Sequence, residues 1–189
     1  MDQLEKCKGD FLNKYNENRS VECGVRMAVN AAVQHNLLYS RNVQTLQRSV
    51  IRSYWGDCLD EIGGEFKKDV PIHTYEYIIE QLKAGMNRKF GNAFLSGSVH
   101  GSMFRVSHAQ KSISVFIKHL WCLGEIPEPK ICPIDRVVLK QTKARLSKDL
   151  AWGYVNTIEE HRVKFKYVLE AAAVEKLSVA RWELFNFIA

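Results

Sequence analysis

An amine and a carboxylate bracket the stretch Lys111–Asp135, KSISVFIKHLWCLGEIPEPKICPID. Lys111 opens an apolar run of helical spacing. In a first helical turn the positive end of the helix dipole disfavours another cation, and partial desolvation adds to that. A lysine so placed, once partly desolvated, would hold a share of neutral amine near pH 7, the species that attacks an electrophilic carbon to form a Schiff base. Asp135 follows Pro133 by two residues, where free N–H groups of a helix start hold a carboxylate ionised. An ionised carboxylate stabilises the oxocarbenium charge that builds on a sugar as its base departs. Each residue also has a plain structural role open to it. Lys111 can lie along a helix surface with its head in water, and Asp135 can cap a helix.

The elements that must position these two groups read as helices. Ser20 caps a helix to about Tyr39 whose face carries Val25, Ala28, Val29, Ala32, Val33 and Leu37. A second follows Asn42, uses Val43, Leu46, Val50 and Tyr54, and ends before Gly63–Gly64. Pro71 and Thr74 introduce a third over about Tyr75 to Phe90. The glycine- and serine-rich Gly91–Arg105 is loop with a short strand or turn. Ser107 and Gln110 have capping-box spacing, so a helix starts near His108 and ends at Gly124. Pro133 suits the first turn of the next helix, which runs into the basic residues Lys140 to Lys148. Thr157 and Glu160 open a helix to about Ala173, and Ser178 caps a last one with Trp182, Phe185 and Ile188. The expected architecture is one all-α, compact multi-helix domain over 1–189, with residues 1–19 a peripheral N-terminal helix.

Lysine, apolar helix, Leu-Gly, proline loop, Pro-Ile-Asp and helix, in that order, resemble the centre of the helix-hairpin-helix DNA glycosylase superfamily. The likeness covers about 35 residues, Gly101 to about Leu139. It implies an all-helical enzyme that removes a modified or mismatched base, with AP-lyase activity in bifunctional members. By this resemblance Lys111 is the nucleophile, Asp135 the activating carboxylate, and GSMFRVSHAQ stands where the DNA-gripping hairpin belongs. The family's hairpin reads Gly-x-Gly directly before the lysine; here that place holds Ser107–Gln110, and the nearest glycines are Gly97 and Gly101.

Other residues extend or compete with this picture. Lys118 lies seven residues after Lys111, on about the same helix face, as a phosphate contact or a lysine snorkelling from a half-buried helix. Lys140, Lys143, Arg145 and Lys148 give a basic helix able to track a phosphate backbone. Trp152 and Tyr154 are the candidates for stacking on an extruded base. His108, His119, Cys122 and Cys132 lack the paired spacing of a zinc site, and no metal or other cofactor is expected. Cys132 near a helix start is a weaker candidate nucleophile. Neither a phosphate-binding G-x-x-x-x-G-K-[ST] loop nor a G-x-S-x-G elbow occurs.

Bulk properties set the frame. The 189 residues are 46% hydrophobic and 25% charged, enough chain for a core without staples. A formal charge of +6 and a pI near 9.1 favour an anionic partner, DNA first among them. Five irregularly spaced cysteines fit a reducing compartment, cytoplasmic or nucleoid-associated, or nuclear in a eukaryote. No apolar run is long enough to span a membrane, and the charged start MDQLEKCKGDF does not read as a secretory signal. The alternative to an enzyme is a non-enzymatic helical module that binds nucleic acid or protein.

Overall fold

The computed structural model describes residues 2–95 and 103–188. It is all-α: among the described residues the nearest thing to a sheet is one isolated antiparallel bridge, Tyr39 to Phe94. The helices are α1 (Gln3–Tyr15), α2 (Val21–Val33), α3 (Thr45–Glu65), α4 (Ile72–Phe90), α5 (Val106–Leu123), α6 (Arg136–Lys140), α7 (Ile158–Val174) and α8 (Val179–Ile188). Single 3-10 turns lie at Gly91–Ala93, Lys143–Arg145 and Trp152–Tyr154.

Helix α5 is the axis. It touches α1, α2, α3, α4 and α7, and nearly every residue from Val106 to Cys122 is buried. Most of its polar positions are satisfied by hydrogen bonds from neighbours, as burial requires. Trp55 donates to Ser112 Oγ at 3.1 Å, and Tyr75 shares a 2.6 Å hydrogen bond with Ser114. Small residues let the surrounding helices close on it. Gly24, Ala28 and Ala32 form a buried stripe at i, i+4 and i+8 on α2. A Cβ on Gly24 would stand 3.0 Å from His119 Cβ.

Two apolar clusters result. The larger unites α1 to α5 with part of α8, around Trp55, Phe104, Phe116 and Ile117. The smaller holds Cys132, Ile134, Leu139, Phe165, Val168 and Trp182, from α6, α7, α8 and the loop before α6. Helix α7 starts with the expected Thr157–Glu160 box, and Ser178 Oγ accepts from Arg181 N–H at the start of α8.

Several boundaries differ from the sequence pattern. Helix α2 stops at Val33 instead of Tyr39, because His35 turns left-handed (φ 56°) and leaves Leu37 79% exposed. Helix α3 buries Ile51, Trp55 and Leu59, while Leu46 and Val50 face out. It also runs through Gly63–Gly64 to Glu65. Gly63 serves packing there: a Cβ would lie 2.8 Å from Phe116 Cε1 and 3.0 Å from Leu120 Cδ1. Helix α5 begins at Val106 with Arg105 before it; Arg105 N–H donates to His108 Nδ1, and Ser107 is inside the helix, not its cap. Helix α1 is not peripheral, since Phe11 and Leu12 are buried in the larger cluster. Gly97 and Gly101 lie outside the described residues; of the Gly101–Gln110 segment named for a hairpin, Val106–Gln110 are the first five residues of α5, so the stretch directly before Lys111 is helix and not a hairpin turn.

Gly63→Ala is expected to destabilise by about 1–2 kcal/mol, because buried Phe116 cannot yield. Gly64→Ala meets nothing within 4 Å. It should be neutral or gain up to about 1 kcal/mol from helix propensity. Urea midpoints of the two variants against the wild type check the pair.

Candidate active-site cavity

A cavity of about 1380 Å³ opens at the seam between the two clusters. One wall is built from α1, α2 and α5, with Phe11, Ala31, Lys111 and Lys118. The other comes from the 133–154 segment and α8, with Asp135, Val137, Trp152 and Glu183. Five of its lining side chains are cations (Arg105, Lys111, Lys118, Arg136 and Lys140) and two are carboxylates (Asp135 and Glu183). That surplus favours an anionic ligand.

The structure brings Lys111 and Asp135 together. Lys111 Nζ stands 2.5 Å from Asp135 Oδ2, with the side chains 7% and 15% exposed. Their settings differ from the sequence expectation. Lys111 is the sixth residue of α5, beyond the first turn, so its partner is a carboxylate and not the helix terminus. Pro133 precedes the helix instead of sitting in its first turn. Asp135 is itself the N-cap of α6: its extended backbone (φ −144°) leaves Oδ1 free to accept the Val138 N–H at 2.9 Å. Burial pushes the Asp135 carboxyl up. The Lys111 charge and the hydrogen bonds from Lys111, Val138 and Val137 outweigh it and hold the pKa below the ordinary value.

Gln110, adjacent to Lys111, fixes the register of this pair. Its amide donates to Ile134 O at 2.8 Å and accepts from Ile134 N–H at 3.3 Å. Sequence gave no sign of this clamp beyond a buried-side position next to the lysine.

Lys118 is buried, 2.7 Å from Glu183 Oε2, with Phe11 and Phe187 ring centroids 4.5 and 4.2 Å from its Nζ. The contact is one of charge without hydrogen-bond alignment, and among the described residues the ammonium has no hydrogen-bond partner. Glu183 was not singled out in the sequence, because it sits in the apolar run of α8. His119 beside it is 3.5 Å from the Asn16 amide, and burial lowers its pKa to about 4, so it is neutral at pH 7.

Trp152 and Tyr154 both line the cavity, Trp152 half-buried against the smaller cluster and Tyr154 exposed. Their 3-10 turn is tied down by residues that sequence reasoning missed. Arg105 donates to Gly153 O (2.9 Å), Asn36 Oδ1 (2.6 Å) and Leu37 O (3.2 Å). Ser107 Oγ donates to Gly153 O at 2.9 Å. A Cβ on Gly153 would come within 3.2 Å of Asn36 Oδ1, so the two loops meet where only glycine fits comfortably.

The basic run is not one helix. Helix α6 ends at Lys140, because the Thr142 hydroxyl donates to Leu139 O and accepts from Ala144 N–H, capping a separate turn. Of the four cations, Lys140 lines the cavity. Lys143, Arg145 and Lys148 are exposed outside it, and Lys143 lies 3.8 Å from Glu170. Cys132 is buried in the smaller cluster, where burial pushes its thiol pKa well up, so it does not act as the alternative nucleophile. Among the described residues no three His, Cys, Asp or Glu side chains converge as metal ligands. No described helix is long and apolar enough to cross a membrane.

Asp135→Ala leaves the Lys111 ammonium buried without its counter-charge and should cost about 3–5 kcal/mol. Because the folded pKa of Asp135 lies below its unfolded value, the pair's contribution is full above the unfolded value. It is lost as pH falls through the folded one. Urea unfolding against pH should therefore show a steeper acid decline in the wild type than in the variant, which keeps only the contribution of other carboxylates such as Glu76. No protein-family model matches the chain, and no curated protein or solved structure matches it either.

Proposed function

We propose that the protein is a DNA N-glycosylase with lyase capacity, acting on a modified base that keeps the hydrogen-bonding edge of guanine. The observation that carries this reading is the Lys111–Asp135 contact in the wall of a cation-rich cavity large enough for a nucleotide. Helix α5, the proline loop and α6 supply the lysine and aspartate in the order of the helix-hairpin-helix glycosylases, and that likeness supports the same roles here.

The chemistry follows from the two groups. As the bond from C1′ to the base lengthens, the Asp135 carboxylate faces the positive charge growing on the sugar. The Lys111 ammonium passes one proton to the departing base, and its freed lone pair bonds to C1′. The C1′–O4′ bond then opens, O4′ takes a second proton from Nζ, and an iminium remains. Trp152 and Tyr154, at the same cavity, offer ring faces to an extruded nucleotide.

The base would be read by Lys118 and Glu183. An ammonium beside a carboxylate presents a donor next to an acceptor, the complement of guanine's O6 and N1–H. The Phe11 and Phe187 rings flank them with apolar surface. Seven residues at the helical rise put Lys118 about 10 Å beyond Lys111. That distance accommodates a purine with a contact at each end. Undamaged guanine is not a sensible substrate, so an oxidised guanine fits the chemistry best.

A second reading, a non-enzymatic nucleic-acid- or protein-binding module, draws on the ion pair itself, since a buried Lys–Asp contact also serves as a structural link. Borohydride reduction separates the two. The wild type should be trapped covalently on duplex DNA containing 8-oxoguanine, and Lys111→Gln, whose amide still offers Asp135 a hydrogen-bond donor, should fold yet yield no adduct. Absence of trapping on both 8-oxoguanine and abasic DNA would sink the enzyme. Glu183→Gln should lower base release from 8-oxoguanine DNA about 10- to 100-fold, the worth of a charged hydrogen bond. Its trapping on abasic DNA, which has no base to read, should persist.

A further inference from the structure

Between Glu22 and Asp57 the chain carries four arginines (Arg26, Arg41, Arg48 and Arg52) and neither lysine nor acid. Two of them, Arg48 and Arg52, sit at i and i+4 on α3, half-buried, where like charges repel. Neither has a carboxylate within ion-pair distance among the described residues. Their partners are neutral: Arg48 Nε donates to Val43 O at 3.0 Å, and Arg52 donates to Asn30 Oδ1 at 2.5 Å. Asn30 lines the cavity, so the pair adjoins its α2 wall.

Both arginines converge on Tyr39. The Arg48 guanidinium carbon is 5.3 Å from the Tyr39 ring centroid. The Tyr39 hydroxyl is buried beside Arg52, and among the described residues no well-aligned hydrogen bond reaches it. Burial raises the phenol's pKa, an effect the neighbouring Arg52 and Arg48 only partly offset, so the hydroxyl keeps its proton. Three donors with two positive charges thus share one place that supplies no anionic acceptor. Leaving such groups uncompensated is costly, and a phosphate oxygen is the acceptor they match.

We infer that Tyr39, Arg48 and Arg52 form a binding site for a backbone phosphodiester of the nucleic-acid strand that enters the cavity. The inference rests on the nucleic-acid part of the proposed function and adds a contact on α3, remote in sequence from Arg136 and Lys140. A phosphate drawing Arg52 away from Asn30 gives both guanidiniums a counter-charge and gives the sealed hydroxyl an acceptor. The site holds DNA without touching the reacting sugar, so its residues belong to affinity and not to the chemical step.

The test is fluorescence anisotropy with a duplex containing a tetrahydrofuran abasic analogue, over a range of KCl concentrations. Loss of two phosphate contacts in the Arg48→Gln/Arg52→Gln variant should reduce the slope of log affinity against log salt by about 2. The rate of borohydride trapping at saturating abasic DNA should stay at the wild-type value. Tyr39→Phe should weaken binding several-fold without lowering the thermal midpoint, since among the described residues the hydroxyl it removes makes no well-aligned hydrogen bond. A double variant with the wild-type salt slope overturns the site. So does a Tyr39→Phe variant that loses thermal stability but not affinity. Trapping and binding fail independently: a wild type that binds DNA with the predicted slope difference but is never trapped removes the glycosylase and leaves this site. A wild type with no salt-dependent DNA binding removes both.

Discussion

The ion pair between Lys111 and Asp135 is the contact on which the arrangement of the cavity depends. It joins the central helix α5 to the N-cap of α6, and so fastens the smaller apolar cluster to the larger one. Neither charge can be left alone at this depth, because a buried ion without its partner costs far more than the pair gains. The pair is therefore a constraint before it is anything else: the loop from Gly124 to Ile134 must return the chain so that Asp135 meets Nζ. Gln110 makes that return definite by bonding both backbone groups of Ile134. Asp135 then divides its two oxygens between an amine and the Val138 N–H, joining cap and ion pair in one residue.

A helix surrounded on all sides normally reads as apolar all round. Helix α5 reaches the same burial while carrying Ser107, His108, Gln110, Lys111, Ser112, Ser114, Lys118 and His119. Its neighbours account for the difference. The serines meet Gly153 O, Trp55 and Tyr75, and His108 stays neutral, its pKa held down to about 3 by burial. The two lysines each take one carboxylate from the opposite wall. Polar groups on the axis are thus matched one by one to surrounding elements, which fixes the helices around α5 in register as well as in packing.

Much of this was legible in the sequence, and the misses have identifiable causes. Helical periodicity located the bodies of α2, α3, α4, α5, α7 and α8 because each buries apolar residues at helical spacing. The Thr157–Glu160 box placed the start of α7 because caps are local chemistry, while α4 begins at Ile72, directly after Pro71 and three residues before the expected Tyr75. The glycine pair at 63–64 misled, since a glycine that admits Phe116 looks the same in one dimension as a glycine that ends a helix. The basic run misled for a similar reason: the Thr142 cap that breaks it depends on a hydroxyl choosing backbone partners. Lys111, Asp135, Lys118, Trp152 and Tyr154 were named from sequence and line one cavity. Glu183 and Arg105 were not, and Gln110 was read only as half of a capping box, because their meaning lies in partners 65, 48 and 24 residues away. No local pattern encodes such pairings.

The two walls of the cavity are unequal in build. One is the flank of the enclosed helix α5 backed by α1 and α2. The other, from Pro133 to Tyr154, consists of a five-residue helix and two isolated 3-10 turns, steadied from behind by the Lys164–Asp149 ion pair and in front by Arg105. A rod gripped along its whole length cannot pivot or slide without breaking the core around it. Whatever breathing admits a guest must then fall to the thinner wall, so α5 acts as the anvil and the 133–154 segment as the part that gives.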